Sequence, residues 1–287
     1  MKLNELKRHF AGELDSLYPS EEIQSFFSLL SEEYLNMSRY EVAINSEISL
    51  SEENMAKFKS AIHRLQQQEP IQYIMGKTEF YGLPFIVNEH TLIPRPETEE
   101  LVSWILEEVS QIKTPLKILD MGTGTGCIAI SLAKNLANAM VTALDISEEA
   151  IKTSHENAKI NVVKVEFMHR DVLNIKVLDR KYDIIVSNPP YVRQLEKREM
   201  NSNVLDYEPS SALYVSDDDP LLFYQKISKL AFTHLTENGR LFFEINEYLG
   251  KEMESLLLDE GFTNVEIRKD IFEKDRMIKC SRHESTS

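Results

Sequence analysis

An α/β fold is predicted: a mostly parallel sheet with helices on both faces, preceded by a small helical domain. Three observations predict it. Beyond residue 117, short apolar runs of strand length alternate with segments of helical periodicity, the pattern of a parallel sheet covered on both sides. The last two strand candidates are separated only by 270–275, a hairpin length that cannot hold a helical crossover, so the final strand is expected to be antiparallel. The first 70 residues instead repeat apolar positions at steps of three and four, the helical period.

Leu3, Leu6, Phe10, Leu14 and Leu17 mark a first helix. Ser20 and Glu22 open a second, which carries Ile23, Phe26, Phe27, Leu30 and Tyr34. Ser51 is a helix cap with Glu52 and Glu53 in the first turn, and Met55, Phe58, Ile62 and Leu65 form the apolar stripe behind it. Pro70 stops this region. Residues 79–87 read as two short strands around Gly82-Leu83-Pro84, and 92–99 lead into a helix bearing Leu101, Val102, Ile105 and Leu106. Strands follow at 117–121, 141–145, 165–169, 182–187, 240–246, 263–269 and 276–280, with helices at 127–136, 147–160, 220–235 and 248–259. The expected organisation is a helical domain over 1–69, a connector with a hairpin over 70–97, an α/β domain over 98–280 and a polar tail over 281–287.

Composition closes off several classes of function. The 287 residues are 42 % hydrophobic and 28 % charged, ordinary globular usage that excludes wholesale disorder. No apolar run approaches the roughly 20 residues of a membrane span, and the N-terminus has no secretory apolar stretch. Two cysteines cannot build a disulfide framework or a cysteine zinc site, which fits a reducing cytoplasm. The seven histidines are scattered without ligand spacing, so no metal is expected. A net charge of −15 works against broad nucleic-acid binding, which needs clustered Lys and Arg.

Three signals carry chemistry. In Leu119-Asp120-Met121-Gly122-Thr123-Gly124-Thr125-Gly126-Cys127, an apolar strand runs into a glycine-rich turn and then a helix. Such glycines let a ligand approach the backbone, and the helix start offers free N–H groups. A dinucleotide fingerprint would need a third glycine at 127, where Cys stands. The second signal is Asp145, at a strand end beside that turn, where a carboxylate can accept both ribose hydroxyls or simply cap a helix. Asp171, followed by Val172, stands after the next strand; it can accept from an adenine amino group or be a solvated loop residue. The third signal, Ser187-Asn188-Pro189-Pro190-Tyr191, ends a buried strand in Asn and then stiffens the chain with two prolines. The Asn188 side-chain oxygen and the Pro189 carbonyl form two acceptors in a fixed arc, which suits a planar –NH2 group. The Tyr191 ring can pack against a flat substrate.

Residues 122–126, Asp145 and 188–191, in this order, resemble a class I S-adenosylmethionine-dependent methyltransferase acting on a planar nitrogen. Nucleic-acid adenine and cytosine methyltransferases carry such a motif, and so do the protein-(glutamine-N5) methyltransferases that modify peptide-chain release factors. Stretches 70–76, 79–82 and 92–99, Glu208-Pro209, Ala212-Leu213 and Arg276 are similar to the release-factor family in particular. The resemblance spans essentially the whole chain, though residues 1–65 match only in helical character, and Val172 stands where some members carry an aromatic. It implies a Rossmann-like seven-stranded methyltransferase sheet with an antiparallel last strand, and an N-terminal domain that docks a class 1 release factor. It implies methyl transfer from S-adenosylmethionine, leaving S-adenosylhomocysteine, to the side-chain amide of the glutamine in a Gly-Gly-Gln motif. The cofactor would be held by Asp120, Gly122, Thr123, Gly124, Thr125, Gly126, Asp145, Asp171, Val172 and Asn188, with Asp120 helping to bind the amino group. The substrate would meet Asn188, Pro189, Pro190 and Tyr191, of which Asn188, Pro189 and Tyr191 would serve catalysis by holding the amide nitrogen in line with the methyl.

Blander readings fit the remaining candidates. Cys127 reads as a small buried residue, His155 and His169 as structural or exposed, and 217–219 as helix-start acid. Glu244 is either a paired buried acid or part of the substrate pocket. The runner-up function, an N6-adenine methyltransferase acting on nucleic acid, needs a basic groove that this composition does not supply. Cys127 weighs against a nicotinamide-dependent dehydrogenase, and the intact motifs weigh against a degenerate binding module.

Overall fold

A computed structural model describes residues 1–199 and 202–282. It divides into two units: one holds Met1–Gly76 with the helix Ser202–Tyr207, the other the described parts of Lys77–Met200 and Glu208–Ser287. The helices are α1 (Leu3–Leu14), α2 (Ser20–Leu35), α3 (Arg39–Ile44), α4 (Glu52–Gln66), α5 (Ile71–Met75), α6 (Pro96–Val109), α7 (Cys127–Asn135), α8 (Glu148–Ile160), α9 (Ser202–Tyr207), α10 (Ser210–Leu213), α11 (Leu222–His234) and α12 (Gly250–Asp259). The strands are β1 (Lys77–Phe80), β2 (Leu83–Ile86), β3 (Lys117–Met121), β4 (Met140–Asp145), β5 (Val165–His169), β6 (Tyr182–Ser187), β7 (Val192–Arg193), β8 (Tyr214–Val215), β9 (Leu235–Glu244), β10 (Thr263–Lys269) and β11 (Asp275–Ser281). Short 3-10 turns follow at Val172–Asn174 and Gln194–Glu199. Of the expected polar tail, Ser281 closes β11, and 283–287 lie outside the described residues.

In the first unit, Leu3, Leu6, Phe10 and Leu14 of α1 pack with Phe26, Phe27 and Leu30 of α2 and with Phe58, Ile62 and Leu65 of α4. Phe10 and Phe27 meet edge-on with centroids 5.4 Å apart. Leu17 falls beyond the end of α1 and is 43 % exposed, so the apolar stripe stops one step earlier than its spacing predicts. Helix α3 was not expected, yet its signal is in the sequence. Ser38 accepts from the Glu41 N–H while the Glu41 carboxylate accepts from the Ser38 N–H, a capping box. Pro70, read as a stop, opens α5 instead, because proline has a φ suited to a helix start.

In the second unit, seven strands run in the order β10-β11-β9-β6-β3-β4-β5. Pairs β3–β4, β3–β6, β4–β5 and β6–β9 are parallel. The last strand, β11, inserts between β9 and β10 and is antiparallel to both, as the short connection requires. Strand alternation sends the apolar side chains into two cores. Ile118, Ile184, Val186 and Phe242 face one cluster with Trp104 of α6. Leu119, Met121, Ile185 and Phe243 face the other, with Tyr224 and Ile227 of α11. A strand buried on both faces is apolar at every position, which is why these runs show no period of two. Strand β9 begins at Leu235, earlier than the expected 240, with a register shift against β6 between Tyr182 and Ile184. The hairpin β1–β2 pairs Lys77–Phe80 with Leu83–Ile86 around the turn at Tyr81-Gly82.

Strand β3 has parallel neighbours reached in opposite directions, β4 on one side and β6 on the other. In an open α/β sheet this switch point leaves a crevice at the carboxyl ends of the strands, where ligands bind.

Candidate active site

The carboxyl ends of β3, β4, β5 and β6 ring a cavity of about 510 Å³, within the range of small-molecule sites. Gly122, Thr123, Gly124, Thr125, Asp145, Asp171, Val172, Asn188, Pro189 and Pro190 line it; Asp120, Gly126 and Tyr191 do not. Two segments that sequence reasoning did not assign to the site complete the wall: Leu92, Pro94, Arg95 and Thr98 on one side, and Pro209, Ala212 and Tyr214 on the other. Their signal was present in the family-like stretches 92–99, 208–209 and 212–213. Glu208 joins them. Its carboxylate is buried, accepts the Ile93 N–H at 3.1 Å and forms an ion pair with Arg95.

The glycines of the turn divide into two kinds. Gly122 and Gly124 have φ of +78° and +55°, and a Cβ on either would meet no protein atom within 4 Å. They keep the left-handed turn unstrained and leave the cavity side open to a ligand. At Gly126 a Cβ would lie 2.9 Å from Ile130 Cδ1 and 3.1 Å from Ser154 Cβ. Its smallness serves the packing of α7 against α8.

Asp145 is held from both sides. Gly124 N–H donates to Oδ2 at 2.8 Å and Ser147 N–H to Oδ1 at 2.9 Å. Burial raises its pKa, and these N–H groups oppose that rise. Asp171 does two things at once: it lines the cavity and caps the following turn, with Leu173 N–H at 2.9 Å and Asn174 Nδ2 at 2.6 Å. Cys127 also lines the wall, and burial pushes its thiol up to about 12, which suppresses the thiolate at neutral pH.

Asp120 is fully buried beneath the turn and accepts from Thr123 Oγ1 at 2.6 Å. Burial pushes its carboxyl from 3.8 up to about 7, against the pull of the Thr123 bond. The folded state therefore holds a proton that the unfolded chain releases. Stability contributed by this group is present below about pH 4 and is lost as pH rises to about 7. Asp120→Asn should abolish that loss, worth roughly 4 kcal/mol over the window. Urea unfolding of both proteins at pH 4.5 and pH 8 checks this; equal differences at the two pH values would refute it.

Asn188, Thr98, Glu244 and Tyr191 form one chain of polar contacts. Asn188 Nδ2 donates to Thr98 Oγ1 at 3.4 Å, and Thr98 Oγ1 donates to Glu244 Oε2 at 2.6 Å. Tyr191 O–H donates to Glu244 Oε1 at 2.9 Å. Glu244, left open in the sequence, is thus a buried, doubly bonded acid behind the Asn188 loop. Among the described residues no cluster of three or more His, Cys, Asp or Glu could hold a metal ion, and no helix is long and apolar enough to cross a membrane.

Comparison with known proteins identifies the family. The model for the PrmC N-terminal domain matches residues 5–76, and that for the methyltransferase small domain matches 100–206. A release factor glutamine methyltransferase of Flavobacterium psychrophilum is 49 % identical over 284 residues, covering 98 % of this chain and 99 % of that one. One of Bacteroides thetaiotaomicron is 42 % identical over 98 % of this chain and all of its own. The fold is also that of a methyltransferase from Pyrococcus furiosus, at 17 % identity and a TM-score of 0.53 over 82 % of this chain and 100 % of that one. With a sevenfold sheet, a switch-point cavity and full-length identity of this order, the chain belongs to the release factor glutamine methyltransferase family.

Proposed function

We propose that the chain transfers a methyl group from S-adenosylmethionine to the side-chain amide nitrogen of the glutamine in the Gly-Gly-Gln motif of class 1 peptide-chain release factors, in the cytoplasm. The observation that carries this is that Asn188 and Pro189 line the same cavity as Gly122 and Gly124, where a Cβ would meet no protein atom within 4 Å.

The residues present fit such a cofactor. The 122–125 turn offers backbone to its methionine portion, Asp145 offers a carboxylate to the two ribose hydroxyls, and Asp171 and Val172 flank the adenine. Asp120 acts from beneath the turn through Thr123, and Gly126 through packing. Bound there, S-adenosylmethionine supplies an electrophilic methyl on a sulfonium centre. Asn188 and Pro189 accept the two amide N–H groups of the glutamine and aim its nitrogen at that methyl. An amide lone pair is delocalised, so orientation is the main source of rate, and acceptors facing the developing positive charge on nitrogen are the second. The nitrogen lone pair forms the new N–C bond, the S–C electron pair stays on sulfur in S-adenosylhomocysteine, and the surplus N–H proton leaves to solvent. Pro190 keeps the loop rigid, and Tyr191, tied to Glu244, anchors its far end. Segment 1–69 is read as the docking domain for the release factor, 70–97 as connector and 98–280 as the transferring domain.

Label transfer from S-adenosylmethionine tests the reading. The acceptors are a class 1 release factor, the same factor with its Gly-Gly-Gln glutamine changed to alanine, and adenine-containing DNA and RNA. Label on the unmodified factor alone is expected. Label on nucleic acid alone would move the function to adenine methylation.

A further inference from the structure

Three elements meet behind Asn188. Thr98 is in the first turn of α6, Glu244 ends β9 and Asn188 follows β6. Thr98 is 2 % exposed and Glu244 is 2 % exposed, so water does not compete for their contacts. With Glu244 ionised, the donor and acceptor roles here are fixed. An ionised carboxylate only accepts, so the Thr98 hydroxyl must spend its one proton on Glu244 Oε2, 2.6 Å away. Towards Asn188, 3.4 Å away, the Thr98 oxygen can therefore only accept. Asn188 must meet it with its –NH2 end, and its Oδ1 is turned away from Thr98. Burial raises the Glu244 pKa above the ordinary carboxylate value, and the Thr98 and Tyr191 hydroxyls and the nearby Arg276 guanidinium hold that rise back by favouring the charged form. Arg276 is itself fixed by Asp270 at 3.0 Å, and Tyr224 O–H holds the Glu244 carbonyl at 3.1 Å.

We propose that Thr98 and Glu244 are positioning residues that fix which way round the Asn188 amide stands, keeping its oxygen available to accept the substrate N–H. An amide side chain has two ends of nearly equal shape and opposite hydrogen-bonding character. Without this relay the Asn188 side chain can rotate by half a turn, and its –NH2 would then oppose the substrate –NH2. The inference rests on the function proposed above for Asn188.

Two variants and one spectroscopic measurement test it. Thr98→Val keeps the shape and removes the acceptor; Thr98→Ser keeps the hydroxyl. Thr98→Val is expected to lower kcat for methyl transfer to a release factor by up to about 100-fold. KM for the factor and the Kd for S-adenosylhomocysteine should change by less than about threefold, since fewer than 0.7 kcal/mol would then be lost in binding, by the rule that about 1.4 kcal/mol is tenfold. Thr98→Ser should restore most of the rate. Equal kcat in Thr98→Val and the parent, or equal loss in both variants, would overturn the proposal. The side-chain amide signal of Asn188, observed by nitrogen-15 NMR in the full chain without acceptor, gives a readout independent of the substrate. Slow exchange of those protons in the parent and fast exchange in Thr98→Val is expected. If the parent transfers no methyl to release factors yet the signal behaves so, the substrate reading fails and the relay stands. Fast exchange in the parent would overturn the relay itself.

Discussion

Replacing Asn188 by alanine is expected to lower methyl transfer by about 10²- to 10³-fold, the loss typical of removing one preorganised polar group at a reacting centre. Binding of S-adenosylhomocysteine should change little, because the turn at 122–125 and Asp145 remain. The loop itself should survive, since its stiffness comes from Pro189 and Pro190 and its far end is tied through Tyr191 to Glu244 and through Asn246 Nδ2 to the Tyr191 carbonyl at 3.1 Å. The substitution therefore separates aiming from binding. Label transfer under single-turnover conditions, beside calorimetry with S-adenosylhomocysteine, measures both. Near-parental turnover would remove Asn188 from the mechanism and with it the argument from two acceptors.

The second large effect is expected at Asp145, and it should be as severe for asparagine as for alanine. Each carboxylate oxygen already takes a backbone N–H, from Gly124 at one oxygen and Ser147 at the other. An amide in that place must turn its –NH2 against one of those donors, whichever way it rotates. Asp145→Asn thus disrupts the turn as well as losing the charged acceptor proposed for the ribose. Hydrogen bonds to a charged group contribute roughly 1.5–3 kcal/mol each, so two lost hydroxyl contacts correspond to at least about a 100-fold weaker Kd. Calorimetric titration of both variants with S-adenosylhomocysteine checks this. An asparagine variant binding within threefold of the parent would show that Asp145 does not hold the ribose.

Much of the α/β unit is legible in the sequence because the strands are local. The ranges 117–121, 165–169, 182–187 and 263–269 are apolar or alternating runs bounded by polar turns, and each is a strand with those bounds. The cavity-ringing strand ends are legible for the same reason, since Gly122, Asp171 and Asn188 each follow a strand and Asp145 ends one. The segment from 192 to 215 is not legible. It contains strands of two residues and helices of four and six, too short to show any period, and they are held by contacts distant in sequence. Arg95 finds Glu208 and Thr98 finds Glu244 across separations of 113 and 146 residues. No spacing rule connects such positions, so the wall around 92–98 and the role of Glu244 need three dimensions. Asp120 shows the converse difficulty. A residue in the middle of a motif can face inward, and the alternation of a five-residue strand is too brief to decide on which side it falls.

The two kinds of glycine in the 122–126 turn imply different histories of substitution. Where a descendant of this chain had given up its ligand, the demand on Gly122 and Gly124 would relax to one of backbone handedness, which asparagine or aspartate can meet. Gly126 would stay under the same restraint, because its φ of +83° and the crowding of a Cβ by Ile130 and Ser154 do not depend on what the cavity contains. A chain with a drifted 122 and 124 but an intact 126 would thus be a folded non-binder. A chain altered at 126 alone would carry a fault of packing rather than of chemistry. The three glycines of one motif therefore answer to two different demands, separable by which of them is lost first.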